Sequence, residues 1–364
     1  MKILLLLTSV FRSIGGVHTF NRALIKTTDD LAEGLGLEVT VFSLLDDEVP
    51  TPAMAIYFAS GQTRYRGFKG NKAAFAAATL WTGWRADRVV FGHVNFSALA
   101  CAMPKPVKSL VIHGIDVWRL LPRLQKLGIS QMRDIISVSG YTQEAFIHFN
   151  GMPPVQFRLL PDTLDPFYSH LSGKIRSAEE LGLPRGQMML AVTRLAATED
   201  YKKIDLVIHS MPAILDRIPD AFFVVVGRGG DRSRLEKLAK ETGVAGRVIF
   251  AGFIEDELLP SYYNACDLFV MPSTKEGFGI VFLEAMYHGK ACVGVMAGGV
   301  PEVIEDKQTG LLAEPSSVDS FAQCVVRLLG NRQEREAMGR RGQERLERHF
   351  SYEKFRDRLE MMIC

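Results

Sequence analysis

The sequence predicts an α/β protein with two successive domains, each a parallel β-sheet covered on both faces by helices. Three observations support this fold class. The chain has 364 residues, more than one ordinary hydrophobic core accommodates. Short apolar runs alternate with helical patterns, which is typical of parallel strands joined by helical crossovers. The alternation occurs twice along the chain, and 47% of the residues are hydrophobic, which is enough to bury two sheets.

The first cycle of alternation predicts the sheet of the amino-terminal domain. Its candidate strands are residues 2–7, 38–43, 88–91, 109–112, 134–138 and 156–160. The run at residues 2–7 is short and has one basic residue, so we interpret it as a strand and not as a signal peptide. Residues 50–66 show only weak periodicity and predict no clear element.

The second cycle predicts the sheet of the carboxy-terminal domain. Its candidate strands are residues 189–192, 221–226, 248–250, 268–271 and 291–295. An apolar stripe between Ile204 and Leu215 predicts a helix after the first of them. A connector is expected between Pro161 and Pro184, where prolines and glycines such as Gly173 interrupt regular structure. Residues 319–348 and 352–362 have the pattern of amphipathic helices.

Composition excludes several classes of function. The formal net charge is +2, so the chain has no basic excess with which to neutralise many phosphates, and we expect no nucleic-acid partner. The five cysteines are an odd number without CxxC spacing, which indicates reduced thiols in the cytoplasm. No apolar stretch reaches the about 18 residues of a membrane-spanning helix. Because no cluster of histidines, cysteines or carboxylates has metal-site spacing, we expect no metal.

Two carboxylates, Glu276 and Glu284, stand eight positions apart after a predicted strand, the first in a loop and the second on the following helix. Taken singly, each is ordinary for the first turns of a helix. The residues between them include Gly277 and Gly279, which let a ligand approach the backbone, and a helix start attracts anions. We therefore interpret the carboxylates as binding groups for hydroxyls beside a phosphate. A ligand that is both a phosphate and a polyol fits this pattern.

Glycines and polar groups follow other strands as well. Gly15-Gly16 comes after the first strand and is compatible either with a tight turn or with a phosphate or sugar site. The absence of a GxGxxG pattern argues against a dinucleotide-binding dehydrogenase. His113 and Asp116 follow the strand at residues 109–112. A lone histidine is more often structural, but its place at the end of a parallel strand favours a site role.

The carboxy-terminal half places cations at comparable positions. Arg194 and Lys202 lie in the loop after the strand at residues 189–192, where they can clamp a diphosphate, although cations there are usually surface charges. Gly227 and Arg228 end the next strand, and this pattern is also compatible with a plain turn. Further along the chain, Phe253 and Ile254 follow Gly252 and can either pack against a flat base or join the core.

Together these residues resemble the retaining glycosyltransferases of the GT-B fold, in family 4, also called glycosyl transferases group 1. The resemblance runs most clearly from about residue 188 to residue 312 and rests on Arg194 with Lys202, residues 226–229, 250–253, 272–284, 298–302 and 309–312. The amino-terminal half agrees through Gly15-Gly16, residues 113–116, 137–139 and 161–165. The resemblance therefore spans nearly the whole chain.

The resemblance implies two Rossmann-like α/β/α domains facing across a cleft. An acceptor-binding domain is expected over residues 1–168 and a nucleotide-sugar-binding domain over residues 169–349, with a helix in residues 350–364 crossing back to the first. The implied donor is a nucleotide diphosphate sugar such as a UDP or GDP sugar, and the acceptor is a glycan, a lipid-linked molecule or a small molecule. The implied reaction transfers a hexose with retention of configuration and without a metal or other cofactor.

The resemblance also assigns roles to individual residues. Arg194 and Lys202 would stabilise the departing diphosphate, Glu276 would hold sugar hydroxyls and His113 would lie near the reacting carbon. Glu284 would bind the ribose. The remaining donor-binding candidates are Gly15, Gly16, Gly227, Arg228, Phe253, Ile254, Phe278, Gly279 and Ile280, and Asp116 is expected near the acceptor or sugar.

Two departures from the family pattern stand out. Members often carry Asn-Gly-Val-Asp where this chain has Asp162-Thr163-Leu164-Asp165, and the usual glycine after the phosphate lysine is Lys203. Two other functions remain open on the same fold: a nucleotide-sugar-binding protein without catalysis and a nucleotide-sugar epimerase.

Mixed basic and aromatic segments favour a solvated face but are also compatible with an anionic membrane, at the inner face of the plasma membrane. They are Arg64, Arg66, Lys69, Lys72, Trp81, Trp84 and Arg85, and Trp118 with Arg119, Arg123 and Lys126. The sequence gives no indication of the oligomeric state.

Overall fold

The computed structural model describes residues 1–12, 15–49, 51–153, 155–171 and 175–363. Pro50, Gly173 and Cys364, which entered the sequence predictions, lie outside this range. The chain forms two compact units. Unit 1 comprises residues 1–166 together with the carboxy-terminal segment from Phe350, and unit 2 comprises Phe167–His349.

Unit 1 contains a sheet of seven parallel strands in the order β3-β2-β1-β4-β5-β6-β7. The strands are β1 Lys2–Leu7, β2 Glu38–Ser43, β3 Thr63–Gly67, β4 Arg88–Phe91, β5 Val107–Ile112, β6 Asp134–Ser137 and β7 Gln156–Leu159. Its first helices are α1 Gly16–Leu35, α2 Lys72–Gly83, α3 Arg123–Ile129 and α4 Gly140–Asn150, with 3-10 segments at Pro52–Phe58 and Val94–Ala102. Every residue of β4 is buried, and its sequence after Arg88 is apolar throughout.

Strand β3 was not predicted. Its residues alternate between partly exposed and exposed until Gly67, which is buried, because β3 lies at the edge of the sheet and pairs only with β2. The exposed positions are Arg64 and Arg66. An edge strand with polar outward residues gives no apolar run, so the pattern at residues 50–66 was weak.

Unit 2 contains six parallel strands in the order β10-β9-β8-β11-β12-β13. The strands are β8 Met188–Val192, β9 Phe222–Val226, β10 Val248–Gly252, β11 Leu268–Val270, β12 Cys292–Val295 and β13 Gly310–Ala313. The helices are α5 Tyr168–Leu171, α6 Ile204–Arg217, α7 Arg232–Glu241, α8 Leu259–Ala265, α9 Ile280–Tyr287, α10 Val300–Val303, α11 Val318–Gly330 and α12 Arg332–Arg345. Strand β13 was not among the candidate strands; it begins at Gly310, lies at the edge of the sheet and pairs in parallel with β12.

The carboxy-terminal segment packs on unit 1. After a π-helical turn at Leu346–Phe350, helix α13 spans Tyr352–Ile363. Phe355 meets Phe20 of α1 edge to face with ring centroids 5.4 Å apart, and the Tyr352 hydroxyl donates to Asp30 at 2.8 Å. The predicted return of the last helix to the amino-terminal half is thereby confirmed, as is the prediction of two parallel-sheet α/β domains.

The strand orders locate where a ligand is expected in each unit. The direction of winding reverses between β1 and β4 in unit 1 and between β8 and β11 in unit 2. In open α/β sheets, ligands bind beyond the carboxyl ends of the strands at this reversal. The loops after β8 and β11 are therefore neighbours at the place where unit 2 is expected to bind. Among the described residues, no helix combines the length and apolar character needed to cross a lipid bilayer.

Candidate functional site

Lys202 and Glu276 meet at the strand-order reversal of unit 2. Lys202 ends a 3-10 turn in the loop after β8, and Glu276 lies in the loop after β11. The Lys202 Nζ lies 2.5 Å from Glu276 Oε1, and the two side chains are 19% and 14% exposed. The Thr274 N–H also donates to the Tyr201 carbonyl at 2.8 Å. An ion pair and a backbone hydrogen bond thus join two loops that are distant in sequence.

The main chain at Glu276 is held by the glycines that follow β12. Its main-chain carbonyl accepts a hydrogen bond from Gly299 at 2.8 Å. A Cβ on Gly298, whose φ is +61°, would lie 2.7 Å from that carbonyl oxygen, so only glycine permits this approach. Within the described part of the chain, Glu276 Oε2 accepts no hydrogen bond, and it remains available for a ligand hydroxyl.

Arg194 has a partner that the sequence did not indicate. Its Nη2 lies 2.5 Å from Glu199 Oε1, while the arginine side chain is 67% exposed and the glutamate only 14%. Burial, with the negative charges of Glu199 and Glu276, raises the pKa of the adjacent Tyr201 to about 12. Glu199 therefore orients the Arg194 guanidinium, while most of the arginine side chain stays open to solvent, as a group that binds an anion requires.

The turn after β9 is packed tightly against the loop that carries Arg194. Gly227 has a φ of +140°, and a Cβ there would lie 1.7 Å from the Thr193 carbonyl oxygen. The following Arg228 places its guanidinium 4.8 Å from the centroid of the Phe253 ring. Phe253 is 40% exposed, and Ile254 beside it in sequence is partly exposed. An exposed aromatic face with a stacked cation is a surface on which a flat base can rest.

Helix α9 begins at the loop that carries Glu276. Gly279 forms its N-cap with a φ of +105°, and within the described residues no side chain caps the helix start. Phe278 and Ile280 are only 3% and 7% exposed, so their side chains belong to the core and only their backbone can face a ligand. The start of α9 therefore offers main-chain N–H groups and the positive end of the helix dipole.

Glu284 is fixed by an aromatic stack. The hydroxyl of Tyr263, a fully buried residue on α8, donates to Glu284 Oε2 at 2.6 Å. The Tyr263 ring is stacked on His288 with centroids 5.4 Å apart and an interplanar angle of 4°. Burial, together with Glu284, raises the pKa of Tyr263, and burial, together with Lys290, lowers the pKa of His288 to about 4. Both rings therefore stay neutral and hold the carboxylate in place.

In unit 1, Gly15 and Gly16 begin helix α1 directly after the loop that follows β1. Gly15 is the N-cap with a φ of +155°, and Gly16 is the first helical residue. The preceding loop is held by the buried Asp46, which accepts hydrogen bonds from the N–H groups of Val10 at 2.6 Å and Arg12 at 2.9 Å. Although burial opposes ionisation, hydrogen bonds from Ser43, Ser9 and the backbone lower the pKa of Asp46. Asp46 was not singled out from the sequence.

His113 follows β5 and contacts the end of β4. Its Nε2 lies 2.9 Å from the Gly92 carbonyl, and because a carbonyl only accepts, Nε2 carries the proton. Burial, with the nearby His93 and His18, lowers the pKa of His113 to about 4. The imidazole is therefore neutral, with its other nitrogen unprotonated.

Asp116 is tied to the same loop. Its Oδ1 accepts hydrogen bonds from the Gly114 N–H at 2.8 Å and the His113 N–H at 3.3 Å. Burial raises the pKa of Asp116 to about 7, even though these bonds favour the charged form. Asp116 thus shapes the loop that presents His113, a positional contribution that the motif alone did not reveal.

The titration of His113 predicts a change of stability with pH. Its folded pKa of about 4 lies below the ordinary value of 6.5, so the stability it contributes is present above pH 6.5 and is lost as pH falls toward 4. We expect the loss to be about 2 to 3 kcal/mol. Chemical unfolding of the protein and of His113→Gln between pH 7 and pH about 4.5 measures it, since the variant lacks this part of the slope. The exposed His209→Gln is the control, and equal slopes in the protein and His113→Gln would contradict the assignment.

Among the residues that the structure describes, no group of three or more histidine, cysteine, aspartate or glutamate side chains has a geometry that could hold a metal ion. The charged groups brought together in unit 2 are instead Arg194, Lys202, Glu199 and Glu276.

Comparison with known proteins identifies the family. The family described as glycosyl transferases group 1 matches residues 179–345. A GDP-mannose-dependent monoacylated alpha-(1-6)-phosphatidylinositol monomannoside mannosyltransferase of Corynebacterium glutamicum is 31% identical over 306 residues, which cover 79% of this chain and 78% of that protein. A GDP-mannose-dependent alpha-(1-6)-phosphatidylinositol monomannoside mannosyltransferase of Mycobacterium tuberculosis is 31% identical over 64% of this chain, and the match spans 63% of that relative.

The fold is shared with solved structures across the whole chain. Anabaena Alr3699/HepE, solved in complex with UDP, matches with a TM-score of 0.79 at 20% identity, covering 100% of this chain and 99% of the other. The fold is that of the GT-B glycosyltransferases, as the resemblance implied. With the matched relatives, these findings show that the chain belongs to the glycosyl transferases group 1 family.

Proposed function

We propose that this protein is a retaining glycosyltransferase that moves a hexose from a nucleotide diphosphate sugar to a glycan, lipid-linked or small-molecule acceptor without a metal. The observation that carries the proposal is the Lys202–Glu276 pair at the strand-order reversal of unit 2. It sets a cation for phosphate beside a carboxylate for hydroxyls, the two groups that a sugar diphosphate presents. Family membership supports the same reaction class.

The proposal assigns the donor to unit 2. Lys202, Arg194 and the start of α9 receive the diphosphate, because each offers positive charge or N–H donors. Glu276 Oε2 receives sugar hydroxyls, and Glu284 receives the ribose hydroxyls. Phe253 and Arg228, which contact each other, lie against the base. Gly227 and Ile254 line the rest of the donor site. The backbone of Phe278, Gly279 and Ile280 lines the part that binds the sugar.

The proposal assigns the acceptor to unit 1. His113 is the candidate nearest the reaction, with Asp116 shaping its loop, and Gly15 and Gly16 offer the start of α1. In the transfer, the bond from the sugar carbon to the diphosphate oxygen breaks and a bond to the acceptor oxygen forms. The electrons of the broken bond stay on the diphosphate, where Arg194 and Lys202 balance the charge, and the acceptor proton leaves with it.

The relatives suggest the first donors to test. Two of them are named as GDP-mannose-dependent mannosyltransferases, and one solved neighbour was bound to UDP. We place the reaction in the cytoplasm, where the buried thiols stay reduced: Cys266 and Cys292 are unpaired, and burial raises the pKa of Cys266 to about 12.

Thermal unfolding in the presence of GDP-mannose, UDP-glucose and other nucleotide diphosphate sugars tests the donor, because a bound ligand raises the unfolding midpoint by mass action. The donor that shifts the midpoint is then incubated with acceptors, and the anomeric configuration of the product is determined. Binding without transfer or hydrolysis would overturn catalysis, and a changed donor sugar without an acceptor would indicate an epimerase. An inverted product would overturn retention, and loss of transfer in a chelator would overturn the metal-free reaction.

The Tyr263 hydroxyl is expected to position Glu284 for the ribose. Tyr263→Phe removes the 2.6 Å hydrogen bond and keeps the ring stack, so we expect the donor KM to rise about fivefold to tenfold with little change in kcat. Steady-state kinetics with varied donor concentration measures the effect. The matched control is Tyr262→Phe, which removes the hydroxyl of the adjacent buried tyrosine on α8. A donor KM that rises equally in both variants would contradict the role.

A further inference from the structure

Unit 1 exposes a compact apolar and basic surface beside the loop of His113. We call it the 119–127 surface and define it by Arg119, Leu120, Arg123, Leu124, Lys126 and Leu127. Leu120, Leu124 and Leu127 are 71%, 59% and 54% exposed. Single exposed leucines are common on proteins, but three within eight residues form a patch that calls for a partner.

The charge of the segment has one sign. Between Asp116 and Asp134 the chain carries Arg119, Arg123, Lys126 and Arg133 and no carboxylate. Leu124 and Leu127 are three residues apart on α3 and therefore lie on the same face, with Leu120 just before the helix. Leucines flanked by cations are the composition of a helix that lies in the interface of an anionic bilayer.

The leucines are exposed by a rigid scaffold. The opposite side of α3 lies so close to the 3-10 segment Val94–Ala102 that a Cβ on Gly128 would be 1.9 Å from the Ser97 carbonyl oxygen. At the other end, Asn150 accepts from the Leu121 N–H at 2.9 Å and donates to the Arg119 carbonyl at 3.1 Å. The buried face of α3 is thus already occupied, and folding of this unit leaves the leucine face without a partner.

The sequence marked Trp118 as a candidate for membrane contact. In the structure, other residues of this segment are more exposed. The Trp118 ring packs edge to face on Tyr141 with centroids 5.2 Å apart and is only partly exposed. The leucines, Arg119 and Arg123 remain as the exposed groups, and Lys126 is partly exposed. They directly follow the loop of His113, in which Ile115 is 44% exposed.

From this geometry we propose that the 119–127 surface docks unit 1 on an anionic phospholipid bilayer. The leucines enter the acyl boundary, and Arg119, Arg123 and Lys126 meet the lipid phosphates. The charged residues of this surface are all positive, which suits the negatively charged surface of an anionic bilayer. A partner protein would need carboxylates placed to match them. Membrane binding is a property separate from glycosyl transfer, so the failure of either proposal leaves the other intact.

Co-sedimentation of the full chain with vesicles of phosphatidylcholine, alone or mixed with phosphatidylglycerol, tests the proposal. We expect binding only to the mixed vesicles and release by high salt. Each basic residue near an anionic surface contributes about fivefold. Joint Arg119→Gln, Arg123→Gln and Lys126→Gln replacement is therefore expected to weaken binding by about a hundredfold. The joint Leu120→Gln, Leu124→Gln and Leu127→Gln variant should weaken binding without changing the thermal unfolding midpoint.

Matched controls remove three cations, or two exposed apolar side chains, elsewhere on the chain. They are Arg340→Gln with Arg348→Gln and Lys354→Gln, and Leu35→Gln with Met361→Gln, all at exposed positions. Protein that stays in the supernatant with mixed vesicles would overturn the proposal, as would controls that reduce binding equally. A leucine variant that changes only the concentration-dependent mass in solution would instead assign the surface to a second copy of this chain.

Discussion

Glu276→Gln is expected to lower kcat/KM for glycosyl transfer by about 100-fold to 1000-fold while the protein stays folded. The substitution keeps the shape of the side chain but removes the charge that pairs with Lys202 at 2.5 Å and the oxygen that is available for sugar hydroxyls. A contact that strengthens as charge develops in the transition state lowers kcat when it is lost. Initial rates with the donor found by thermal unfolding measure the change.

The control for this variant is Glu336→Gln. Glu336 also forms an ion pair, with Arg332 at 2.7 Å, but it is 49% exposed on α12 and belongs to no candidate site. The same chemical change there should leave the transfer rate unaltered. Undiminished turnover in Glu276→Gln, with an unchanged unfolding midpoint, would remove Glu276 from the site.

Gly227→Ala is expected to destabilise the protein by about 3 to 5 kcal/mol. A Cβ at this position would lie 1.7 Å from the Thr193 carbonyl oxygen, and the φ of +140° is one that alanine rarely adopts. The backbone after β8 or β9 must therefore move, and the loop that carries Arg194 moves with it. Denaturant unfolding gives the free-energy difference, and we expect a loss of donor binding in the fraction that still folds.

Gly230→Ala provides a control three residues further on. A Cβ on Gly230 meets no atom within 4 Å, so the unfolding free energy should change by no more than about 0.5 kcal/mol. If both alanine variants were equally stable, the tight packing of the Gly227 turn would be contradicted.

Strands buried on both faces were predictable because burial demands continuous apolar sequence. In β9, for example, all five residues are buried, and the run Phe222–Val226 is apolar throughout. The edge strands β3 and β13 were not predicted, for two different reasons. The first has polar residues facing solvent, and the second is short and begins with a glycine that lies against the Cys292 carbonyl.

The site divides in the same way. The sequence shows which residue types follow each predicted strand. Arg194, Lys202, Glu276 and Glu284 were therefore candidates before the structure. The partners of Arg194 and Glu284 were not. Glu199 is five residues from Arg194, and Tyr263 is 21 residues from Glu284 on a different helix, with no spacing that marks either contact. Asp46, which holds the loop before Gly15, lies 34 residues from Arg12.

The sequence by itself determined the fold class, the family resemblance, now confirmed, and the chemical groups that follow each strand, because these depend on local pattern. Only the tertiary structure decided which groups meet. Lys202 and Glu276 are 74 residues apart and come together because β8 and β11 are neighbours at the strand-order reversal. Strand order is set by the packing of the whole sheet, and no local window of sequence contains it.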